Sequence, residues 1–242
     1  MFRTFLVALG LVVVWPALAQ QPLAVGIQSA EPGLIQGNKE QPGHLVELWD
    51  AIAKEAGFTI SFVVMPDNRQ LLKALDDKKI DVVAGAGRPN DADTKYELSE
   101  IFMISAEALV VLKTDTNSYG NPASLKPLKV ATQKGSAYDT YLQGLGIAEV
   151  VYHETGLELM KAVSEKKAEA ALFSAGIAGY ALKSGKFPDL QIAPSYKATF
   201  ARPVFMIFRK DAGPNLEKTN ASLRNLLSKD VPKQIRSKYG VD

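Results

Sequence analysis

The stretch from Ala74 to Phe102 reads ALDDKKIDVVAGAGRPNDADTKYELSEIF, and it contains the strongest indications of the fold. Residues 81–84 form a short, β-branched apolar run, which is typical of a buried strand and too short for a helix. The glycine-rich residues 85–87 then leave backbone amides open at the strand end, and Arg88 follows at once. Ligands of open α/β sheets bind outside the carboxyl ends of strands. The stretch therefore predicts either a ligand-binding strand end or a tight turn with a solvent-facing arginine.

The first residues have the features of an export signal. Arg3 provides a short positive region, residues 5–14 are apolar, and the residues up to Ala19 read Ala-Leu-Ala, a small-x-small cleavage site. This apolar run is too short to span a bilayer. We therefore predict a signal peptide over residues 1–19, and a mature protein that is secreted into the periplasm without a membrane anchor.

Composition excludes several classes of function. The 242-residue chain has no cysteine, which rules out disulfides, thiolate metal sites and a lipid-modified N-terminal cysteine. A formal net charge of +2 gives no electrostatic footprint for nucleic acid. His44 and His153 lie far apart without ligand-like spacing, so we expect neither a metal nor a cofactor.

The pattern of apolar runs predicts two α/β units. Three short strands alternate with amphipathic helices, one of them over residues 43–56, and a further strand is predicted at 108–112. Residues 113–127 are rich in Thr, Asn, Ser, Gly, Pro and Lys, as in a connection, and a second alternating unit follows. We predict two lobes, each a mostly parallel sheet flanked by helices. The first comprises residues 20–112 plus 195–242, and the second residues 116–191.

Six local motifs then carry a family resemblance along nearly the whole mature chain. They are residues 43–57 (against G-F-x-x-D-L-x-x-A-I-A-x-x-x-G, with Glu47 at the acidic position), 75–83 (aL-x-x-gk-x-D-vi), 98–102 (F-S-x-P-Y), 130–136 (v-g-v-q-x-G-S), 166–172 (g-x-x-D-A-v-v) and 238–240 (K-x-G). In order and spacing they resemble the extracellular solute-binding proteins of family 3, the amino-acid-type receptors of ABC importers. The resemblance implies a type II periplasmic-binding-protein fold, with hinge crossovers near residues 113–115 and 191–195. It also implies closure around a small-molecule solute and a membrane permease as partner.

The residues that hold an amino acid in this family are altered here. The register of the family's carboxylate-binding arginine gives Ala92, beside Asp93, and the ammonium-binding aspartate falls at Ser174. Ala137 replaces the second-lobe threonine, and Glu31 stands near the position of the covering aromatic. Because a buried ammonium or carboxylate is costly without a partner, an ordinary free α-amino acid is disfavoured.

Candidate ligand contacts remain at the predicted cleft. Arg88 either binds a carboxylate bidentately or pairs with Asp91 or Asp93 on the loop surface. The aromatic residues Tyr138, Phe173 and Phe200 either line the cleft or belong to the core. The predicted ligand-binding set is Gln28, Glu31, Gly85, Ala86, Gly87, Arg88, Gly135, Ser136, Ala137, Tyr138, Phe173 and Ser174.

Three functions follow as hypotheses. The first is a monomeric, non-enzymatic receptor that captures a small polar or anionic solute for an ABC permease. The second is an accessory protein of a periplasmic system, such as one associated with a quinoprotein dehydrogenase. The third is a dehydratase-like enzyme, for which Glu31 is the one acidic residue predicted near the cleft, without a paired base.

Overall fold

The computed structural model describes residues 22–199 and 201–241. The predicted signal peptide, its cleavage after Ala19, and Phe200 lie outside the described residues. The strands are β1 (Leu23–Gln28), β2 (Ile60–Met65), β3 (Val82–Gly87), β4 (Tyr96–Leu98), β5 (Met103–Leu112), β6 (Lys129–Thr132), β7 (Glu149–Tyr152), β8 (Ala170–Ser174), β9 (Leu190–Ile192) and β10 (Ala201–Arg209). The helices are α1 (His44–Ala56), α2 (Asn68–Asp76), α3 (Ala92–Lys95), α4 (Ala137–Leu145), α5 (Gly156–Ser164), α6 (Ala175–Lys183), α7 (Pro214–Ser228) and α8 (Val231–Tyr239), with a 3-10 turn at Pro122–Leu125.

Two sheets form the framework of two lobes. In the first lobe, β1 lies between β2 and β3 with parallel pairing, and β10 runs antiparallel to β3 and β4. In the second lobe, β6 lies between β7 and β8, again in parallel. Parallel strands end at the same edge of a sheet, so each lobe gathers the loops after its strands at one edge. The α/β architecture predicted from the sequence is confirmed.

Strand β5 connects the two sheets. Its residues 103–106 pair with β10 of the first lobe, whereas residues 107–112 pair with β8 and β9 of the second. The strand is longer than the predicted 108–112 because its first half pairs with a strand from the far end of the chain. The change of sheet thus falls within β5, and the lobe boundaries at residues 112 and 116 stay a prediction.

Each lobe has its own buried core. Helices α1, α7 and α8 cover one face of the first sheet with fully buried side chains such as Trp49 and Ile52, and α2 covers the other with Leu71 and Leu75. The second lobe packs α4, α5 and α6 around its sheet, with Phe173 only 1% exposed. Apolar burial is the dominant favourable term in folding, so each lobe is stabilised mainly by its own core. Strand β5 then forms the junction between the two lobes.

A second connection runs beside β5. The amide of Ala193 donates to the carbonyl of Leu109 at 2.8 Å, which holds the returning chain against β5. Farther along, the buried carboxylate of Glu107 accepts hydrogen bonds from the hydroxyls of Tyr196 (3.1 Å) and Thr199 (2.9 Å). The returning chain therefore stays in contact with β5 from one lobe to the other.

Candidate functional site

A pocket of about 120 Å³ lies where β5 passes from one sheet to the other. Its walls come from the first lobe, from β5, and from the start of α6 in the second lobe. The lining residues are Pro32, His44, Met103, Ile104, Ser105, Ala106, Ser174, Ala175, Gly176, Ile177 and Val241. We call this the crossover pocket. No charged side chain lines it within residues 22–199 and 201–241.

The start of α6 faces the crossover pocket. Ser174 occupies the N-cap position of α6 but makes no side-chain capping hydrogen bond. The first amides of the helix, those of residues 175–177, have no hydrogen-bond acceptor within the described part of the chain. Helix N-termini carry a partial positive charge because such amides are unpaired. This end of the pocket therefore favours an electron-rich group.

Tyr138 closes the second-lobe side of the pocket. It is 9% exposed, and its hydroxyl lies near those of Ser105 of β5 and Ser174. Burial raises the pKa of the phenol, while the guanidinium of Arg202, 5.7 Å from the ring centre, acts in the opposite direction. Tyr138 is thus a neutral group beside the two serines.

His44 is the buried polar residue on the first-lobe side. The preceding residue, Gly43, packs so closely on the chain that a Cβ there would lie 2.3 Å from the carbonyl oxygen of Gly33. Its φ of 118° also suits glycine, so this close approach of Gly43 sets the position of His44. The amide of His44 then donates to the carbonyl of Pro32 at 3.0 Å. The imidazole is 6% exposed and lies edge-on to the Tyr239 ring, with 6.3 Å between ring centres.

Burial keeps His44 uncharged. Desolvation lowers the pKa of its imidazole to about 4, helped by the positive charge of Arg236 and opposed by Glu47. The Tyr239 hydroxyl donates to Glu47 at 2.7 Å and accepts from the amide of Gly43 at 3.1 Å. This network fixes the end of α8 against the start of α1.

The glycine-rich strand end lies apart from the crossover pocket. A Cβ on Gly85 would lie 3.0 Å from the Phe102 ring and 3.1 Å from Leu45, so these side chains cover that backbone. Arg88 lies on the exposed loop, where it makes an ion pair with Asp93. This pairing is one of the two alternatives drawn from the sequence. Ligand contacts by residues 85–88 stay a prediction.

The remaining predicted residues have other partners in the structure. The amide of Gly135 donates to Asp139 at 2.8 Å, and Ser136 caps α4 by accepting from the Asp139 amide at 3.1 Å. Ala137 begins α4, and Phe173 is buried in the second core. Gln28 donates to the carbonyl of Pro66 at 3.4 Å in an exposed position. Of the predicted set, Ser174 lines the crossover pocket and Tyr138 lies directly behind it.

Several pocket residues were missed by the sequence-based reasoning. The spacing of His44 from His153 excludes a metal site, but His44 stands where the family pattern has phenylalanine, and that departure is the available signal. Ser105 and Val241 carried no signal at all. They reach the pocket through contacts between segments that are far apart along the chain.

Close contacts join the lobes beside the pocket. A Cβ on Gly179 of α6 would lie 2.3 Å from the carbonyl oxygen of Gly240, so the helix and the C-terminal segment touch backbone to backbone. Lys183 donates to the last carbonyls of α8 at 2.8 and 3.0 Å. Lys186 pairs with Glu31 at 2.8 Å across the two lobes.

No helix within residues 22–199 and 201–241 is long and apolar enough to cross a membrane.

Comparison with known proteins assigns the chain to a family. The sequence profile of the bacterial extracellular solute-binding proteins, family 3, matches residues 23–242. The L-cystine-binding protein TcyA of Bacillus subtilis (strain 168) is 23% identical over 197 residues, which is 81% of this chain and 72% of that protein.

Solved structures share the fold. The ligand-binding core of GluR0 from Nostoc punctiforme, in complex with L-glutamate, superposes with a TM-score of 0.74 at 22% identity, covering 91% of this chain and all of that one. The ancestral amino-acid-binding protein AncCDT-1, a precursor of cyclohexadienyl dehydratase, gives 0.74 at 22% identity, covering 90% and 95% of the two chains. The chain belongs to the bacterial extracellular solute-binding proteins, family 3.

Proposed function

We propose that the protein acts as a monomeric periplasmic receptor, which captures a small polar or anionic solute in the crossover pocket and delivers it to the permease of an ABC importer. The observation that carries this proposal is the position of the pocket. Residues of both lobes and of the connecting strand β5 line it. A solute held there contacts both lobes at once, so its binding favours the closed arrangement over the open one.

The relatives supply candidate solutes. L-cystine and L-glutamate, named for two of them, are amino acids, and the altered cleft residues disfavour the usual grip on an amino acid. The volume of the pocket suits a molecule smaller than cystine. The enzymatic alternative gains no support, since Glu31, the acid considered for that role, pairs with Lys186 and does not line the pocket.

The test is a thermal-shift screen of the mature chain, unfolded and refolded to remove carried-over solute. The panel contains amino acids, small organic acids and their amides. A solute that binds only the folded state raises the melting temperature as its concentration exceeds the dissociation constant. At a hundredfold excess, the free energy of unfolding increases by about 2.7 kcal/mol.

Two variants locate the binding site. Ser174→Leu fills the pocket and removes no capping hydrogen bond, so it should abolish the thermal response. Ser118→Leu, at an exposed loop position, is the matched control and should keep it. A response that survives Ser174→Leu contradicts the proposed site. A panel without any response, together with no solute recovered from protein purified natively, would favour the accessory-protein alternative.

A further inference from the structure

The crossover pocket contains a buried polar side chain without a hydrogen-bond partner. His44 is 6% exposed and lines the pocket, yet its imidazole makes no hydrogen bond to any residue that the structure describes. Its neighbours are the Tyr239 ring and the charges of Arg236 and Glu47. A neutral imidazole carries one N–H donor and one acceptor. Neither nitrogen of His44 is among the fully buried unpaired atoms of the described residues, so both keep some accessible surface for a ligand group.

The same pocket holds a second set of free donors opposite His44. These are the amides at the start of α6; the N-cap residue Ser174 lies beside them, with its hydroxyl near that of Tyr138. A nine-residue helix presents these amides with a partial positive charge. Together with an N–H of the imidazole they form the kind of donor arrangement that holds a carboxylate or another small anion.

Glu107, which pairs with Ser174 between β5 and β8, is the acidic residue beside this donor set, and its buried carboxylate already accepts hydrogen bonds from the hydroxyls of Tyr196 and Thr199. In the family pattern an aspartate for the ligand's ammonium group falls at position 174, and here that residue is serine. No acidic side chain within residues 22–199 and 201–241 lines the pocket, so an ammonium group there would be buried without a counter-charge. The partial positive charge at the start of α6 therefore meets no acidic side chain among the lining residues that the structure describes.

The remaining walls and the volume limit the body of the ligand. Met103, Ile104, Ile177 and Val241 are apolar, so they suit a short hydrocarbon group. A volume of about 120 Å³ is small beside the roughly 300–1,000 Å³ of pockets for drug-sized ligands, so the pocket suits a small molecule.

We propose that the crossover pocket selects a small monocarboxylate that lacks an α-ammonium group, and that His44 and the N-terminus of α6 with Ser174 bind its carboxylate. This inference rests on the proposed function, because it assigns the chemistry of the same pocket. It makes His44 a ligand-binding and specificity-determining residue, at a position where the family pattern has phenylalanine.

The experiment uses three probes of nearly the same shape: isobutyrate, isobutyramide and L-alanine. Isobutyramide removes the charge, and L-alanine replaces one methyl group of isobutyrate by an ammonium group. Calorimetry on the refolded mature chain should give the highest affinity for isobutyrate, at least tenfold above either of the others. A tenfold difference corresponds to about 1.4 kcal/mol.

Variants then assign the contacts. His44→Phe should weaken isobutyrate binding at least tenfold, and His44→Gln, which keeps a donor and an acceptor, should restore part of the loss. His153→Phe makes the same exchange outside the pocket and should bind as the wild type does. Ser174→Asp should remove isobutyrate binding by placing a carboxylate beside the ligand's own, and should improve the relative affinity for L-alanine.

The outcomes separate this inference from the function on which it rests. Equal or tighter binding of L-alanine or isobutyramide, or isobutyrate binding that is unchanged in His44→Phe, overturns the assigned chemistry and leaves the receptor role in place. Failure of all three probes also overturns it. The receptor role is contradicted separately, if no solute at all binds in a manner sensitive to Ser174→Leu.

Discussion

Acidification should destabilise the protein through His44, by an amount that the structure sets. The pKa of its imidazole is about 4 in the folded protein, against an ordinary value of 6.5. Between these two pH values the unfolded chain binds a proton that the folded protein does not. Stability is therefore complete above pH 6.5 and falls as the pH drops towards 4. At about 1.4 kcal/mol per pH unit, the loss amounts to about 3 kcal/mol.

The assay compares urea unfolding of the wild type with that of His44→Phe and His44→Asn across this pH range. Neither variant titrates at this position, so the stability of the wild type relative to each variant should fall by about 3 kcal/mol between pH 6.5 and 4. The charged and titratable neighbours, Arg236, Glu47 and Tyr239, are present in every protein, and subtraction removes their direct contribution. Agreement between the two variants separates titration from packing. A stability difference that stays constant over the range would refute the reasoning.

Three further substitutions test the contacts around the site, with urea unfolding as the measurement. Gly179→Ala places a Cβ 2.3 Å from a backbone carbonyl and should lower the free energy of unfolding by about 1–3 kcal/mol. The control Gly144→Ala, with nothing within 4 Å of its Cβ, should raise it by up to about 1 kcal/mol. Equal effects would contradict the interlobe contact. Arg88→Ala removes an exposed ion pair with Asp93 and should cost less than about 1 kcal/mol; a tenfold loss of isobutyrate affinity would instead identify Arg88 as the carboxylate partner. Tyr239→Phe should cost about 1–3 kcal/mol, because its hydroxyl serves a buried amide and a carboxylate, and an unchanged stability would show that these hydrogen bonds contribute nothing.

Local patterns in the sequence were enough to predict most elements of the fold. The apolar face of residues 43–56 predicted α1, which the structure has at His44–Ala56, and the run at 81–84 predicted the start of β3. These patterns work because burial on one helix face or within one strand leaves a periodic trace in the sequence. The first half of β5 left no such trace, since its pairing with β10 joins segments nearly a hundred residues apart.

The site was less predictable than the fold. Ser174 was found because it interrupts a family pattern at a strand end, and the partner of Arg88 stayed open because two aspartates follow it on one loop. His44 lies at a helix start, far along the chain from the strand ends where the sequence predicts a ligand. Its burial depends on Tyr239, which is close in space and almost two hundred residues away along the chain. Contacts of this kind come from the tertiary fold, and a single sequence does not encode them in any local pattern.

The most direct test of the solute site is a crystal structure of the mature chain grown with the compound that gives the largest thermal shift. We expect density for that compound in the crossover pocket, within hydrogen-bond distance of the first amides of α6, with residues of both lobes in contact with it. Density at the glycine-rich strand end beside Arg88 and an empty crossover pocket would contradict the assignment.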